Sequence, residues 1–392
     1  MTEFASVASG AADTSEAVTE CLDTVEQELG TTNVDFVYVG ISSEHEYQTV
    51  VDQIRTATEQ ATLIGASSAG EFTEGGSLSG GVSVAAVTSD SMAFSAGLGT
   101  GYSDDVAASV SQAAAAVDTD VVDDYPYAAG LNLHDGLAGH GDEVTIRAYQ
   151  ELGVPLTGAS AGDDRRVEET AVFVNDEVST DGVALAVLGA DQPFGQAVGN
   201  GHQQHSQGMT VTTSEGAVVT ELDGEPAFER WAEAIRETVG TEYDFSLSDV
   251  EPDDPEWVEL LTRYEFGIKT GDEEFKIRWP GLTPDREGPL HFATEIPEGT
   301  ELFVMDAEPA DERDAQEQVT DDLGTGYSGV LSFACICQAN ILDDEFDAAI
   351  QSVGEHVDSP MAGMEVYGEV SISEDDMRGY HNASLSLLGI PE

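Results

Sequence analysis

Basic side chains are scarce in this sequence. Its 392 residues contain 13 Lys and Arg against 77 Asp and Glu, a formal net charge of −64, and its two lysines are Lys269 and Lys276. This balance excludes a broad basic face for binding nucleic acid. The acidic residues are spread along the whole chain, so they repel one another in dilute buffer, whereas above about 1 M salt the screening length falls to roughly 3 Å. We therefore predict a halophilic protein of a salt-saturated cytoplasm, as in haloarchaea.

Cysteines and long apolar runs are also few. The cysteines are Cys21, Cys335 and Cys337, so no disulfide framework is expected. The C-x-C pair lies in the apolar run "GVLSFACIC", which predicts two buried residues on one face of a strand. No run of about 18 apolar residues occurs, and the first residues lack a signal-peptide pattern. We expect a cytoplasmic protein without membrane insertion, and the 40% hydrophobic content suits a globular core.

The hydrophobic pattern alternates between strands and helices. It predicts a helix capped by Asp13 or Ser15 and ending at Leu29, a helix opened by Ser103, and a helix over 141–152. "TLIGASSAGEF" matches "PLTGASAGDD" downstream, and "PMAGMEVYGEV" is a weaker third copy. The predicted fold is α/β (mixed α+β), with two domains built from repeated strand–helix–strand–glycine turn–strand units and mixed sheets. The predicted boundary separates residues 1–195 from residues 196–392.

An ordered set of motifs resembles a known family. In the first half these are "GASSAGEF", "GVSVAAV", "LNLHDG", "GASAGDD" and "DGVALAVLG", and in the second half "GMTVTTSEGAVVTELDGEPAFERW", "GIKTGDEEFKIRW", "GVLSFACICQ", "MAGMEVYGEV" and "YHNASLSLL". They resemble the N- and C-terminal domains of FIST (F-box and intracellular signal transduction) proteins over nearly the whole chain. The resemblance implies a sensory protein that binds small ligands such as amino acids.

One segment departs from the family pattern. Where FIST proteins commonly have Ser, Gly and Arg in an "SC-x-G-R" strand end, this chain has Ala334, Cys337 and Gln338. An Arg would suit a ligand carboxylate through paired hydrogen bonds, whereas Gln338 offers a neutral amide. This departure weakens the expectation of an amino-acid ligand.

Glycine turns at strand ends supply the first candidate ligand contacts. Backbone N–H groups at such turns can approach a ligand, although a tight turn needed for packing explains the glycines equally well. Neither turn is a phosphate-binding P-loop, and the acidic residue after each glycine would repel phosphate. The candidates at these turns are Ser67, Ser68, Glu71, Ser160 and Asp163.

Other polar residues follow predicted strands, where α/β proteins usually bind ligands. His134 and Asp135 end the strand of "LNLHDG", where a turn structure is an equally good explanation. The third repeat adds further groups, which are costly to bury without a purpose. The additional candidates are Cys335, Gln338, Tyr367, Glu369, His381 and Asn382. His202 and His205 are interpreted as residues of a surface loop, without a metal partner.

We therefore predict a cytoplasmic small-molecule sensor that has no output domain of its own and passes its signal to a separate signalling protein. Its ligand would occupy a pocket lined by strand ends and glycine turns, and no cofactor, metal or catalytic residue is expected. One alternative is a haem-based gas sensor with His381 or His134 as axial ligand, since some FIST proteins bind haem. Another is a hydrolase with Ser67, Ser160 or Cys335 as nucleophile and His134 or His381 as base.

Overall fold

The helices begin and end largely where the sequence predicts. A computed structural model describes residues 1–58, 60–239, 255–271, 274–281 and 288–392. Its helices are α1 (Thr14–Leu29), α2 (Tyr47–Thr58), α3 (Val106–Ala116), α4 (Gly141–Leu152), α5 (Ala227–Val239), α6 (Pro255–Arg263), α7 (Pro309–Leu323), α8 (Ile336–Leu342) and α9 (Phe346–Val357), with 3₁₀ turns at Thr119–Val122 and Asp343–Glu345.

Two helix starts show how side chains fix the boundaries. The Asp13 carboxylate accepts the Glu16 N–H at 3.0 Å and caps α1, as predicted. The predicted start of α3 at Ser103 is wrong, because the side chain of Asp105 caps that helix by accepting the Ala108 N–H at 2.9 Å. Helix α4 covers the predicted residues 141–152.

The strands alternate with these helices along the chain. They are β1 (Thr2–Ser9), β2 (Phe36–Ser42), β3 (Thr62–Ser68), β4 (Gly70–Thr73), β5 (Gly76–Leu78), β6 (Val82–Ser89), β7 (Met92–Thr100), β8 (Tyr127–His134), β9 (Leu156–Ser160), β10 (Val172–Val174), β11 (Glu177–Ser179), β12 (Gly182–Ala190), β13 (Gly195–Gly199), β14 (Gln203–Gln204), β15 (Met209–Glu215), β16 (Val218–Leu222), β17 (Glu225–Pro226), β18 (Phe266–Lys269), β19 (Phe275–Arg278), β20 (Leu290–His291), β21 (Glu301–Asp306), β22 (Tyr327–Cys335), β23 (Met361–Val366), β24 (Gly368–Ile372), β25 (Gly379–His381) and β26 (Leu385–Pro391).

Three of the sheets share one arrangement, and their orders are β1-β6-β2-β3-β10-β11, β7-β12-β8-β9-β24-β25 and β13-β26-β22-β23-β4-β5. Each contains one parallel pair, which is β2–β3, β8–β9 or β22–β23, and helices connect the two strands of that pair. The sheets are therefore mixed, in agreement with the predicted fold class. The duplication inferred from the sequence stays a prediction.

The three sheets exchange strands. The hairpin β4–β5 leaves the first sheet and pairs with β23 in the third, β10–β11 pairs with β3, and β24–β25 pairs with β9. Strands from both predicted domains therefore complete each other's sheets. The boundary near residue 195 itself stays a prediction.

The three sheets face a common core. Aromatic and aliphatic side chains from all three meet there, including Tyr38, Leu131 and Phe333, each fully buried. Helices cover the outer faces, α1 and α2 on the first sheet, α3 and α4 on the second, and α7 and α9 on the third. Burying both faces of each sheet excludes water from most backbone groups and stabilises the arrangement.

A fourth sheet lies between β13 and α7 in the chain and carries α5 and α6 on one face. Its core includes Trp231, whose indole N–H donates to the Tyr264 carbonyl at 2.7 Å. We call residues 203–306 the insert and the three-sheet assembly the main body. Within the described residues, no helix has the length and apolar character needed to cross a membrane.

The C-x-C segment differs from its predicted conformation. Strand β22 ends at Cys335 and α8 begins at Ile336, so Cys337 lies on a helix and does not share a strand face with Cys335. Both thiols are buried, as predicted, and no disulfide joins them. An apolar run alone does not distinguish a buried strand from a short buried helix.

Candidate functional site

The strand ends named in the sequence converge at the centre of the main body. The carboxyl ends of the three parallel strand pairs lie next to one another. Three backbone hydrogen bonds link them in a cycle, from Gly162 N to Ser67 O (2.9 Å), from Tyr367 N to Ser160 O (3.1 Å) and from Ala69 N to Glu365 O (2.9 Å). The exchange of strands between sheets brings these ends together. We call this region the turn centre.

The turn centre is filled by protein atoms. A Cβ added to Gly162 would lie 2.8 Å from the backbone nitrogen of Ala69, so only glycine allows the chains to approach this closely. Asp135 and Tyr367 are half-buried, and the other candidates are at most 3% exposed, namely Ser67, Ser68, Glu71, His134, Ser160, Asp163, Cys335, Gln338, Glu369, His381 and Asn382. Direct contact between them and a dissolved ligand would require movement of the surrounding chain.

His134 and Ser160 meet across the parallel pair β8–β9. Ser160 Oγ lies 2.8 Å from His134 Nε2 and donates to the Tyr380 hydroxyl at 3.0 Å, while His134 Nδ1 lies 3.3 Å from the Asn132 side-chain oxygen. Burial lowers the pKa of His134 to about 3, so the imidazole is neutral. Because the single Ser160 hydrogen goes to Tyr380, His134 Nε2 donates to Ser160. If the Asn132 amide is turned by 180°, its Nδ2 donates to His134 Nδ1. In the other orientation Asn132 Nδ2 has no partner among the described atoms.

Ser68 and Glu71 form a second buried contact. The Ser68 hydroxyl donates to one Glu71 oxygen, and the Gly81 N–H donates to the other at 2.9 Å. Burial nevertheless raises the pKa of Glu71 to about 8. Ser67 points elsewhere and accepts the Ala171 N–H at 2.8 Å, which joins β3 to the start of β10. These groups are therefore satisfied within the fold.

Asp163 organises the loop of residues 163–169. Its carboxylate accepts the backbone N–H groups of Val167 (2.9 Å), Glu168 (2.6 Å) and Glu169 (3.0 Å), and it also accepts a hydrogen bond from the Tyr367 hydroxyl. The loop needs this support because three of its non-glycine residues have positive φ, namely Asp164 (53°), Arg165 (64°) and Val167 (55°). Asp163 thereby fixes the conformation that presents Arg165.

Asp135 holds the turn that follows β8. Its carboxylate accepts the N–H groups of Leu137 (2.8 Å) and Ala138 (2.9 Å) and the Thr170 hydroxyl (3.2 Å). Burial raises the pKa of Asp135. Its contacts are those of a turn residue bonded to its own backbone.

The remaining candidates lie where the main body meets the insert. Glu369 accepts the Ser384 N–H at 3.1 Å, and Asn382 Nδ2 donates to the Tyr367 carbonyl at 3.3 Å. Burial, with Cys335 beside it, raises the pKa of Glu369 well above its usual range. His381 pairs with Glu369 in the β24–β25 register. Several polar atoms here make no hydrogen bond within the described residues, among them Glu369 Oε1, His381 Nε2 and Asn382 Oδ1.

An open cleft of about 1040 Å³ lies between the insert and the main body. One wall is the C-terminal half of α6, and the opposite wall is formed by α8 with the start of α9. Ser77 and Ser79 of the main body border it, and Glu365 at the end of β23 forms part of its floor. Ligand sites are typically concave spaces of this size at the junction of two substructures.

Two arginines line this cleft, one from the main body and one from the insert. Arg165, 46% exposed, donates to Glu365 Oε2 at 2.8 Å and to Asn340 Oδ1 at 2.7 Å. Arg263, 33% exposed, binds Asp306 and Glu308 at 2.7 and 3.0 Å. The hydrogen bond and charge of Asp306 raise the pKa of Arg263. The acidic residues on the walls are Glu259, Asp343, Asp344, Glu345, Asp347 and Glu365.

The predicted candidates and the cleft are adjacent but distinct. Glu365 precedes Tyr367 by two residues, and the Asp163 loop supplies Arg165, yet none of the predicted site residues lines the cleft within the described chain. Their assignment as ligand contacts stays a prediction. Sequence reasoning missed Arg165 and Arg263, although their rarity in a chain with 13 basic residues was a usable signal.

The interpretation of His202 as a residue of a surface loop is wrong. Its side chain is fully buried, and Nδ1 lies 3.3 Å from Glu312 Oε1. The loop before β14 packs on the start of α7, where a Cβ at Gly201 would come within 2.6 Å of Asp311 and Glu312. A polar sequence such as "GHQQH" does not reveal that tertiary packing covers it.

The residues present do not fit a haem. An axial histidine needs a free nitrogen facing a large apolar space. His134 Nε2 is bonded to Ser160, and neither His134 nor His381 lines the cleft or the smaller cavities found in the described residues. Over the same residues, no group of three or more His, Cys, Asp and Glu side chains is placed to hold a metal ion.

Comparison with known proteins identifies both halves of the chain. Residues 35–225 match the FIST N domain, and residues 227–371 match the FIST C domain. Together these matches span most of the sequence. FIST domains are linked to signal transduction and small-ligand sensing.

Individual relatives add little. An uncharacterised protein of Methanocaldococcus jannaschii is 34% identical over 88 residues, which is 22% of this chain and 17% of that protein. The chain thus covers less than a fifth of that relative's length. Among solved structures, a cyanuric acid hydrolase from A. caulinodans and a second cyanuric acid hydrolase align over 100% of both chains at 9% identity and a TM-score of 0.35. A likeness this weak carries no argument.

Proposed function

We propose that this chain, which belongs to the FIST family, is a small-molecule receptor whose ligand binds in the cleft between insert and main body. The observation that carries the proposal is the cleft itself, about 1040 Å³ in volume and bordered by arginines from both substructures. A ligand there touches α6 on one side and α8 on the other, so its binding energy favours the closed arrangement of the two.

The charges on the walls favour a zwitterion, such as an amino acid. The N–H groups of Arg165 and Arg263 that do not donate to Asn340, Glu365, Asp306 or Glu308 can bind a ligand carboxylate. The acidic residues between the end of α8 and the first turn of α9, which include Asp343, Asp344 and Asp347, suit an ammonium group. A purely anionic ligand would meet more carboxylates than arginines. The replacement of the family's Arg by Gln338 does not bear on a ligand in the cleft, because the Gln338 amide is buried and donates to Glu312 at 2.9 Å.

The proposed output is a change in the position of the insert. A separate signalling protein would distinguish the closed from the open arrangement. The coupling is limited by the difference in ligand affinity between the two arrangements, so a ligand that touches only one wall would transmit no signal.

Melting-temperature measurements in about 3 M KCl test the proposal. The panel holds free amino acids, the matching amines without carboxylate and the matching N-acetylated acids. A ligand at about 100 times its dissociation constant stabilises the fold by about 2.7 kcal/mol, and we expect this only from zwitterions.

Arg165→Gln supplies the variant and Arg147→Gln its matched control. Arg147 is 44% exposed and pairs with Glu143 on α4, away from the cleft. We expect Arg165→Gln to lose the ligand-induced shift and Arg147→Gln to keep it. Equal stabilisation of both variants, or no stabilisation of the wild type by any zwitterion, would contradict the proposal.

A hydrolase is the second candidate, favoured by the 2.8 Å contact between Ser160 and His134. Against it, the Ser160 hydrogen is directed to Tyr380, and that ring fills the adjacent space, since a Cβ at Gly368 would lie 2.1 Å from its hydroxyl. A fluorophosphonate probe distinguishes the two functions. Labelling of the wild type that disappears in Ser160→Ala would support the hydrolase, and no labelling would remove it.

A further inference from the structure

The walls of the cleft meet at their base in one buried polar cluster. Glu265 follows the end of α6 by two residues, Cys337 lies in the first turn of α8, and Glu312 lies in the first turn of α7. His202 packs against them from the loop before β14. We call Glu265, His202, Glu312 and Cys337 the basal cluster, and all four are at most 7% exposed. Helices α6, α7 and α8, which border the cleft, thus all meet at this cluster.

The cluster contains more polar atoms than it satisfies. Both Glu265 oxygens, both His202 ring nitrogens and Glu312 Oε1 lack a hydrogen bond of good geometry within the described residues. The groups that interact with them are the Cys337 thiol at Glu265, and the Glu312 carboxylate and Thr262 backbone at His202. The pair His202–Glu312 is in ion-pair range at 3.3 Å, and Gln338 satisfies the other Glu312 oxygen at 2.9 Å. Native interiors leave few polar atoms in this state, so their concentration at one point calls for a cause.

Counting charges supplies that cause. Glu265, Glu312 and His202 are all removed from water, and two carboxylates beside a neutral imidazole carry a net charge of about −2. Binding two protons makes the group neutral, as an imidazolium–carboxylate pair and one carboxylic acid. Burial raises the pKa of Glu265 to about 8. Burial alone would lower the pKa of His202, but the adjacent Glu312 and Glu265 carboxyls outweigh it and raise the pKa.

The groups that face Glu265 come from every element around it. They are His202 from the loop before β14, Glu312 from α7, Cys335 from the end of β22, Cys337 from α8 and Glu369 from β24. The nearby Arg263 is turned toward Asp306 and Glu308. His202 is therefore the one basic side chain among these described neighbours of Glu265.

We propose that the basal cluster is a proton-binding site that holds α6 and α8 together beside the cleft and lets them separate when Glu265 ionises. Loss of that proton leaves two buried carboxylates beside a single imidazolium, and the repulsion is relieved by admitting water between α6 and α8. The link to ligand binding rests on the function proposed above, whereas the opening itself does not. Ligand binding draws the walls of the same cleft together, so alkaline conditions, which separate them, would weaken ligand binding.

Hydrogen exchange of the full chain in about 3 M KCl tests this without a ligand. Exchange of backbone amides in α6 and α8 is measured from about pH 6 to pH 9 and corrected for the intrinsic rate. Between the ordinary carboxyl pKa near 4.3 and the raised pKa of Glu265 of about 8, one proton released on opening makes the open fraction rise about tenfold for each pH unit, and the rise levels off above about pH 8. We expect Glu265→Gln, which keeps a neutral side chain, to abolish that rise.

The matched control is Glu71→Gln. Glu71 is also fully buried with a pKa raised to about 8, but it lies beside Ser68 and outside the basal cluster. This variant should keep the wild-type pH dependence in α6 and α8. The same pH dependence in Glu265→Gln as in the wild type, or none in the wild type, would overturn the proposal.

Infrared titration of the wild type protects the test against a variant that fails to fold. The carbonyl band of protonated carboxyl groups should weaken over the same pH range in which α6 and α8 lose protection. A weakening that leaves exchange in these helices unchanged would refute the link. If the pH effect is absent, the ligand-induced melting shift can still be observed, and the ligand site is not contradicted. If the melting shift is absent, the pH effect can still be observed, so the two proposals are tested separately.

Discussion

The turn centre and the basal cluster are both buried and polar, but they differ in how completely their polar atoms are satisfied. At the turn centre, Asp163 accepts three backbone N–H groups, and Ser160 contacts both His134 and Tyr380. In the basal cluster, the side chains of Glu265 and His202 make no hydrogen bond of good geometry within the described part of the chain, although His202 Nδ1 lies 3.3 Å from Glu312. Satisfied polar groups hold a fold in one conformation, whereas unsatisfied groups beside a cleft favour movement or binding.

Removal of salt should have the largest effect. With a net charge of −64, the chain should lose its far-ultraviolet circular dichroism below roughly 0.5 M salt, because repulsion between carboxylates is no longer screened. Hydrogen exchange during the dilution should show α6 and α8 losing protection before the main body, since six acidic residues line the cleft. Sucrose at equal osmolarity should not restore the fold. Full structure in dilute buffer would refute the halophilic interpretation.

The pH dependence of stability should be the next largest effect. Glu71 and Glu265 have folded-state pKa values of about 8, above the ordinary value near 4.3. Their protons therefore stabilise the fold fully below about pH 4, and this contribution is lost as the pH rises through 8 at about 1.4 kcal/mol per pH unit for each group.

Denaturant unfolding at about pH 5, 6.5 and 8 in constant high salt measures this slope. Glu71→Gln should remove one group's share, so its stability relative to the wild type rises with pH. A difference between the two proteins that does not change with pH would contradict the assignment. Because Glu71 lies at the turn centre, the change should be global and should not alter exchange in α6 selectively.

Loss of the Ser160 hydroxyl should cost an intermediate amount. Ser160→Ala leaves His134 and Tyr380 without a buried partner, so we expect a loss of about 1–3 kcal/mol in unfolding free energy. Ser79→Ala is the matched control, because Ser79 is exposed at the edge of the cleft and should change stability by less than about 0.5 kcal/mol. Equal losses would remove the distinction between the two regions.

Arg165→Gln should have the smallest effect on stability. The Arg165–Glu365 pair is half exposed on the arginine side and is worth about 1 kcal/mol or less. The same variant should abolish the ligand-induced melting shift, so stability and binding separate at this residue. A loss of stability comparable to that of Ser160→Ala would indicate that Arg165 serves the fold instead.

The sequence predicted regular elements well and the cleft poorly. A capping residue located the start of α1 and the hydrophobic pattern located α4, because those signals are local. The conformation of Cys337 was missed since a short buried helix and a strand share one apolar pattern. Burial of His202 and Glu265 was missed because it depends on how the insert packs on α7 and α8. Hydrogen-bond satisfaction at the turn centre likewise follows from the exchange of strands, which no local pattern encodes.

The most direct test of the ligand site is a crystal structure of the protein grown in high salt with the zwitterion that raises the melting temperature most. The account predicts electron density for that molecule in the cleft, with its carboxylate at Arg165 or Arg263 and its ammonium group at the acidic residues between the end of α8 and the first turn of α9. Density at Ser160 and His134 in the turn centre, with the cleft holding only solvent, would contradict it.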